Sequence, residues 1–230
     1  MLPRFLFAQL IAITTLPSLA VDDYRLGQLS QEKPDVPKGK VISMPMHDSK
    51  IYAGAKRDWW VYVPLQYKPA QPANLIVFQD EHDYVGSKGA WRVPVVFDNL
   101  IASGEMQPTI AIFINPGHSG DTKPPSVWKN NNRGKEYNTL GDTYVRFLLE
   151  EILPQVQKDY KLTENPEGWA IAGASSGAIC AFTGGVGTPG QVPEGILHHR
   201  QLCRSRRRAC VSINYSSSGT QAAACLSARR

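Results

Sequence analysis

The residues Gly173-Ala174-Ser175-Ser176-Gly177 set a hydroxyl among small neighbours in the pattern Gly-x-Ser-x-Gly. A serine becomes a usable nucleophile on a sharp strand-to-helix turn, where only small flanking residues let the backbone bend and the hydroxyl project. Ser175 is the candidate nucleophile. The N–H of Ser176, at the start of the following helix, is expected to donate to the oxyanion of a tetrahedral intermediate, aided by the positive helix end. A second donor is expected from the loop after an earlier strand. Gln79-Asp80-Glu81-His82-Asp83-Tyr84 is such a loop, with the N–H of Glu81 as its candidate. Glycine-rich strand-to-helix turns also occur in proteins that bind phosphates, but the strand, elbow and helix around Ser175 favour the nucleophile.

A serine hydroxyl attacks poorly at neutral pH until a histidine takes its proton and a carboxylate orients that histidine. On this kind of elbow both partners follow the serine in the chain, acid first and then histidine. Past Ala181-Phe182-Thr183 no strand or helix of convincing period follows, and His198-His199 arrive with no acid-bearing strand end before them. His47, His82 and His118 precede the serine, so a base among them would reverse the usual order; solvated or packing roles are the ordinary expectation for each. No metal site and no cofactor are expected.

The elements that must position Ser175 are legible as apolar runs. Trp59-Trp60-Val61-Tyr62-Val63 is aromatic and β-branched and closes at Pro64, as a strand would. Asn74-Leu75-Ile76-Val77-Phe78, Thr109-Ile110-Ala111-Ile112-Phe113-Ile114 and Gly168-Trp169-Ala170-Ile171-Ala172 are continuous runs, as expected of strands buried on both faces. Between them, residues 95–103 and 139–157 have helical period, the longer carrying Tyr144, Leu148, Ile152 and Val156 on one stripe. Thr139 and Asp142 predict a capping box at its start, and Pro154 a kink or restart. Buried strands alternating with amphipathic helices predict an α/β fold with a parallel sheet flanked by helices and functional loops at the carboxyl strand ends.

A chain of 230 residues with 42% apolar content accommodates one sizeable domain. Residues 1–20 read as a cleaved secretory signal: Arg4, an apolar stretch from Phe5 to about Leu16, then Ser18-Leu19-Ala20. That stretch is shorter than the roughly 20 residues of a spanning helix, so no membrane association is expected after cleavage, and the product is secreted or periplasmic. Residues 21–54 read as an extended lead-in with one edge strand near Val41 to Met44. The net charge of +5 is uneven: from Gly184 onward seven arginines face one acid, a balance of +6, which leaves −1 for the rest. Basicity confined to a tail is no argument for a nucleic-acid partner. Three of the four cysteines, Cys203, Cys210 and Cys225, lie in that tail, which does not support a disulfide framework.

Four stretches together carry a family resemblance: Leu75-Ile76-Val77-Phe78-Gln79-Asp80; Asn132-Arg133-Gly134-Lys135-Glu136-Tyr137-Asn138-Thr139-Leu140-Gly141-Asp142; Phe147-Leu148-Leu149-Glu150-Glu151-Ile152-Leu153-Pro154; and Ile171-Ala172-Gly173-Ala174-Ser175-Ser176-Gly177. Over residues 55–183 the chain resembles the enterochelin-esterase-like branch of the Putative esterase family. The resemblance implies an α/β-hydrolase fold, hydrolysis of carboxylic esters through an acyl-serine, no cofactor, and a small-molecule or carbohydrate ester as substrate. It offers Arg133, Glu136 and Tyr137 either as substrate-binding residues or as an ion pair and loop packing. Glu81 stands where the family often has glycine, and Gly134 where serine is common.

Residues 184–230 read as aberrant. Permitted codons from Gly184 onward can be chosen so that a one-base shift gives a continuous frame with no stop, containing a helix-like segment and the strand-like run PLRVFLQEG. A frameshift just after Thr183 is therefore the expectation, leaving the C-terminal part of the fold, with the catalytic acid and histidine, unmade. Two functions follow: a secreted serine ester hydrolase, inactive in this chain for want of its acid and base, or a non-catalytic fragment or binding relic of the fold.

Overall fold

The computed structural model describes residues 26–186 apart from 46, 121, 123 and 125–131. Its elements in chain order are β1 (Lys40–Ser43), β2 (His47–Ser49), β3 (Ala55–Arg57), β4 (Trp59–Val63), β5 (Asn74–Gln79), α1 (Glu81–Tyr84), α2 (Val93–Ala102), β6 (Thr109–Ile114), β7 (His118–Ser119), α3 (Arg133–Tyr137), α4 (Thr143–Phe147), α5 (Leu153–Val156), β8 (Trp169–Ala172) and α6 (Ser176–Val186). The main sheet has the order β1-β4-β6-β5-β8, and a small second sheet the order β2-β3-β7.

The expectation of a parallel sheet needs correction, because the main sheet is mixed. β6, β5 and β8 run parallel, while β4 pairs antiparallel with β6 and β1 antiparallel with β4. A continuous apolar run reports burial on both faces and carries no sign of direction, so the antiparallel β4 reads like its parallel neighbours. Register follows the period of two. Val61, Leu75, Val77, Ile110 and Ile112 point to one face, packed under Tyr137, Tyr144, Phe147, Leu148, Ile152 and Val156. Tyr62, Ile76, Phe78, Ala111 and Phe113 point to the other, under Tyr84, Trp91, Phe97 and Ile101. Successive strand side chains thus alternate between two helical layers, the pattern of an α/β domain.

The helical segment expected over 139–157 begins later. α4 starts at Thr143 after Asp142, with no side-chain cap, and the Thr139 hydroxyl donates to the Lys135 carbonyl at 2.5 Å, closing the end of α3 instead. The apolar stripe of Tyr144, Leu148, Ile152 and Val156 is buried as the period required. Pro154 explains the break: it supplies no N–H and its ring crowds the carbonyl four residues back, and Leu148–Ile152 widens into a π-helical turn before α5 restarts at Leu153.

The division at residue 54 does not separate two structural units, since β2 pairs with β3 across it. The lead-in is also anchored further upstream: Asn99 Nδ2 on α2 donates to the Leu29 and Gln31 carbonyls at 2.8 and 2.9 Å. Asp98 Oδ1 accepts from the Gly39 N–H at 2.8 Å and the Tyr62 hydroxyl at 2.6 Å. Polar backbone with no apolar period still docks when buried side-chain amides and carboxylates satisfy it. The edge strand expected near Val41 to Met44 is β1. Residues 1–25 and 187–230, with the expected signal segment, His198 and His199, lie outside the described residues.

Candidate active site

Strand register brings the two halves of the expected site together. In the parallel ladder Phe78 is opposite Ala172 and Gln79 is opposite Ile114, so the chain leaves β5, β6 and β8 at one level. The loops begun by Asp80 and Gly173 therefore emerge side by side at the carboxyl edge. Ser175 sits between β8 and α6 with φ +54°, in the left-handed region, and is exposed. For an L-residue that conformation costs about 1–2 kcal/mol, and it turns the serine out of both the strand and the helix direction. Gly173 and Gly177 permit the bend: a Cβ on Gly173 would lie 2.5 Å from the Gly177 carbonyl carbon and 2.6 Å from the Gln79 side-chain amide, and one on Gly177 would touch Asp80 Oδ2 at 3.4 Å.

Ser176 opens α6, and the first N–H groups of a helix have no acceptor within it. Glu81 opens α1 directly after Asp80, whose φ of +65° is likewise left-handed. The sharp turn at Asp80 swings the chain from the strand into that helix, with the Asp80 N–H still donating to the Ile114 carbonyl at 2.9 Å. Two helix starts, each preceded by a left-handed residue, thus flank the same strand ends.

Arg133, at the start of α3, spans the two loops. Its Nε donates to Asp80 Oδ1 at 2.8 Å and its Nη2 to Asp80 Oδ2 at 2.6 Å, a bidentate pair, while Nη2 also reaches the Ala174 carbonyl at 3.4 Å. Burial works against the Arg133 charge, and the Asp80 carboxylate more than offsets it, so the guanidinium stays firmly protonated. Tyr137 lies beneath it, ring centroid 5.4 Å from the guanidinium carbon. Gln79, with its amide nitrogen turned toward the elbow, donates to the Ala172 carbonyl at 2.6 Å and to the Gly177 carbonyl at 3.3 Å.

The other two residues of the α3 trio face the interior. Glu136 is paired with Arg57 at 2.7 and 3.1 Å and accepts from the Gly117 N–H, both charged side chains being wholly buried. Arg57 lies 4.2 Å over the Phe147 ring, and the Tyr137 hydroxyl donates to the Ile114 carbonyl at 3.3 Å. Between the alternatives the sequence left open for Glu136 and Tyr137, their placement is that of an ion pair and loop packing.

The family model described as Putative esterase matches residues 51–198. The chain belongs to the Putative esterase family. Its fold is similar to that of a ferulic acid esterase from the anaerobic fungus Anaeromyces mucronatus, with TM-score 0.51 and 16% identity over 70% of this chain and 59% of that one. It is also similar to the enterobactin esterase of Shigella flexneri, with TM-score 0.47 and 18% identity over 67% of this chain and 34% of that one. The chain spans about three fifths of the first relative's length and one third of the second's. The mixed α/β sheet with helices on both faces is the fold it shares with the ferulic acid esterase.

Among the described residues no hydrogen bond to the Ser175 hydroxyl is present. His82 Nδ1 lies 3.4 Å from Asn115 Oδ1 and its Nε2 3.6 Å from Asp83 Oδ1. His118 is buried, and among the described residues neither ring nitrogen has a hydrogen-bond partner. No described helix is long and apolar enough to cross a membrane. The sequence reading passed over Gln79 and Asp80 as side chains and Arg57 altogether. Their only signal was position, two polar residues ending an apolar strand and a lone arginine before the Trp-rich strand, and position alone does not disclose a partner 50 or more residues away.

Proposed function

We propose that this chain carries the nucleophile-bearing half of a secreted serine carboxylic ester hydrolase acting on a small-molecule or carbohydrate ester. The observation that carries the reading is the left-handed Ser175 on an exposed turn between β8 and α6, beside the loop that opens at Asp80. In the proposed reaction the Ser175 hydroxyl oxygen bonds to the acyl carbon as its proton passes to a general base. The carbonyl oxygen takes up the negative charge and receives hydrogen bonds from the N–H groups of Ser176 and Glu81. Collapse expels the alkoxide, which leaves with that proton, and water then releases the acid from the acyl-serine by the same steps.

The base and its orienting acid are proposed to belong to sequence that a one-base frameshift after Thr183 has replaced. The absence, among the described residues, of a hydrogen bond to the Ser175 hydroxyl supports that reading. The family match extends to residue 198 and α6 runs through Val186, both past Thr183. The alternative, a non-catalytic fragment or binding relic, rests on the same absence among the described residues.

A paired assay separates these readings. p-Nitrophenyl acetate hydrolysis and fluorophosphonate labelling are measured on this chain and on a version with one base restored and the natural downstream sequence. Turnover by the restored protein alone, with the label mapped to Ser175 and lost in Ser175→Ala, supports the esterase and the frameshift together. Turnover by the chain as written defeats the frameshift proposal, and label elsewhere than Ser175 defeats the nucleophile.

A further inference from the structure

We infer that the Arg133–Asp80 pair is a positioning device that sets the separation between the two proposed oxyanion donors, and that Arg133 does not contact substrate. The inference rests on the esterase reading above and deepens it. Asp80 immediately precedes Glu81 and Ala174 immediately precedes Ser175, so each donor-bearing turn has one residue in the grip of the same guanidinium.

Three features distinguish this from an ordinary surface ion pair. The pair is bidentate, which fixes angle as well as distance. It is largely buried, Asp80 being 3% and Arg133 16% exposed at the side chain, so solvent screens it little. It also holds a strained backbone: Asp80 at φ +65° and Ser175 at φ +54° persist only where surroundings over-determine them. Gln79 supplies a second stitch from the same loop to the carbonyls of Ala172 and Gly177, on either side of the elbow. Nε and Nη2 of Arg133 are engaged by Asp80 and Ala174 and Tyr137 lies under its plane, so the edge of the guanidinium that faces the two loops is occupied by the scaffold. An oxyanion hole needs that kind of support because a displacement of about 1 Å costs about a hundredfold in rate.

The test uses the full chain and the variants Arg133→Gln, Arg133→Lys and Asp80→Asn, with Arg146→Gln on the exposed Arg146–Glu150 pair as control. Amide hydrogen exchange is read on this chain over peptides spanning residues 79–85 and 173–178, and the rate of fluorophosphonate modification at Ser175 is read on the version with one base restored, carrying the same substitutions. Arg133→Gln and Asp80→Asn are each expected to speed exchange in both peptides together by about tenfold or more. They should also slow the limiting modification rate by about a hundredfold with the half-saturating reagent concentration unchanged. Arg133→Lys should rescue part of the exchange protection and little of the rate, since an ammonium is a point donor and cannot hold the fork. The inference is overturned if the 173–178 peptide is unmoved by Arg133→Gln, if exchange rises evenly through the molecule, or if only the half-saturating concentration changes, which is the mark of direct substrate contact. Failure of the frame-restored, unsubstituted protein to label at Ser175 counts against the esterase reading alone, because the exchange arm decides the tie without any chemistry at the serine.

Discussion

Ser175 holds φ +54° without the freedom of a glycine, and the surrounding turn supplies what that conformation costs. Ser175→Gly and Ser175→Ala both lack the hydroxyl, yet only alanine still bears a Cβ in the left-handed region. Ser175→Gly is therefore expected to be about 1 kcal/mol more stable than Ser175→Ala in denaturant unfolding; equal stabilities would mean that the elbow relaxes in solution. Gly173→Ala is the converse case, because its methyl group would meet backbone rather than a side-chain tip, and a destabilisation of about 1–3 kcal/mol is expected. Asp98 gives a pH dependence. Burial raises its carboxyl above the usual range, with the Tyr62 and Gly39 hydrogen bonds opposing. The folded state then binds this proton more tightly than the unfolded state, so the Asp98 contribution to stability falls as pH rises from the unfolded pKa, about 4, through the folded one. Both donors converge on Oδ1, which an amide oxygen can replace. Asp98→Asn should thus raise the melting temperature at pH 7 and leave it nearly unchanged below pH 4; a loss at pH 7 would show that the charge is needed.

At the level of elements, α3 is pinned at both ends of a single turn, by Arg133 to the site loops and by Glu136 to β3. Removing one member of a buried pair leaves a charge without compensation, at a cost of about 3–5 kcal/mol. Glu136→Ala is accordingly expected to unfold the chain or lower its stability by that amount, whereas Arg146→Gln on the surface should change it by less than about 1 kcal/mol. Measured losses of equal size would show that the interior pair is no more than a surface contact. Gly117 belongs to the same assembly, since a Cβ there would come within 2.6 Å of Glu136 Oε1. On α6, Cys180 is free and buried, and burial pushes its thiol well up. It should resist thiol reagents in the folded chain and react on unfolding; ready labelling under native conditions would place α6 away from the core.

For the molecule as a whole, the consequential feature is the β8 edge of the main sheet. Among the described residues β8 has a strand partner on one side only, β5. Helix α6 beside it exposes Ile179 and Phe182, three residues apart and so on one face. An unpaired edge strand flanked by exposed apolar side chains is a template for association. The chain is expected to self-associate at micromolar concentration. Ile179→Glu with Phe182→Glu should lower light scattering and dye binding while costing little stability, since both positions already face solvent. Undiminished association in that double variant would move the sticky surface elsewhere.

What the sequence determined by itself was local. Period and composition gave the buried strands Trp59–Val63 and Thr109–Ile114 to the residue, the stripe from Tyr144 to Val156, the break at Pro154 and the Gly-x-Ser-x-Gly elbow, because each depends on neighbours a few positions apart. The start of α4 differs because the Thr139 hydroxyl, expected to accept from the Asp142 N–H, donates instead to the Lys135 carbonyl, a choice made by how α3 ends. Tertiary structure alone decided strand direction, the packing of residues 26–39 onto α2, and the roles of Arg133 and Glu136. Arg57 finds Glu136 and Asp80 finds Arg133 across 79 and 53 residues of chain. Such pairings are set by which strand ends the register of β5, β6 and β8 brings level, and no spacing along the sequence encodes that.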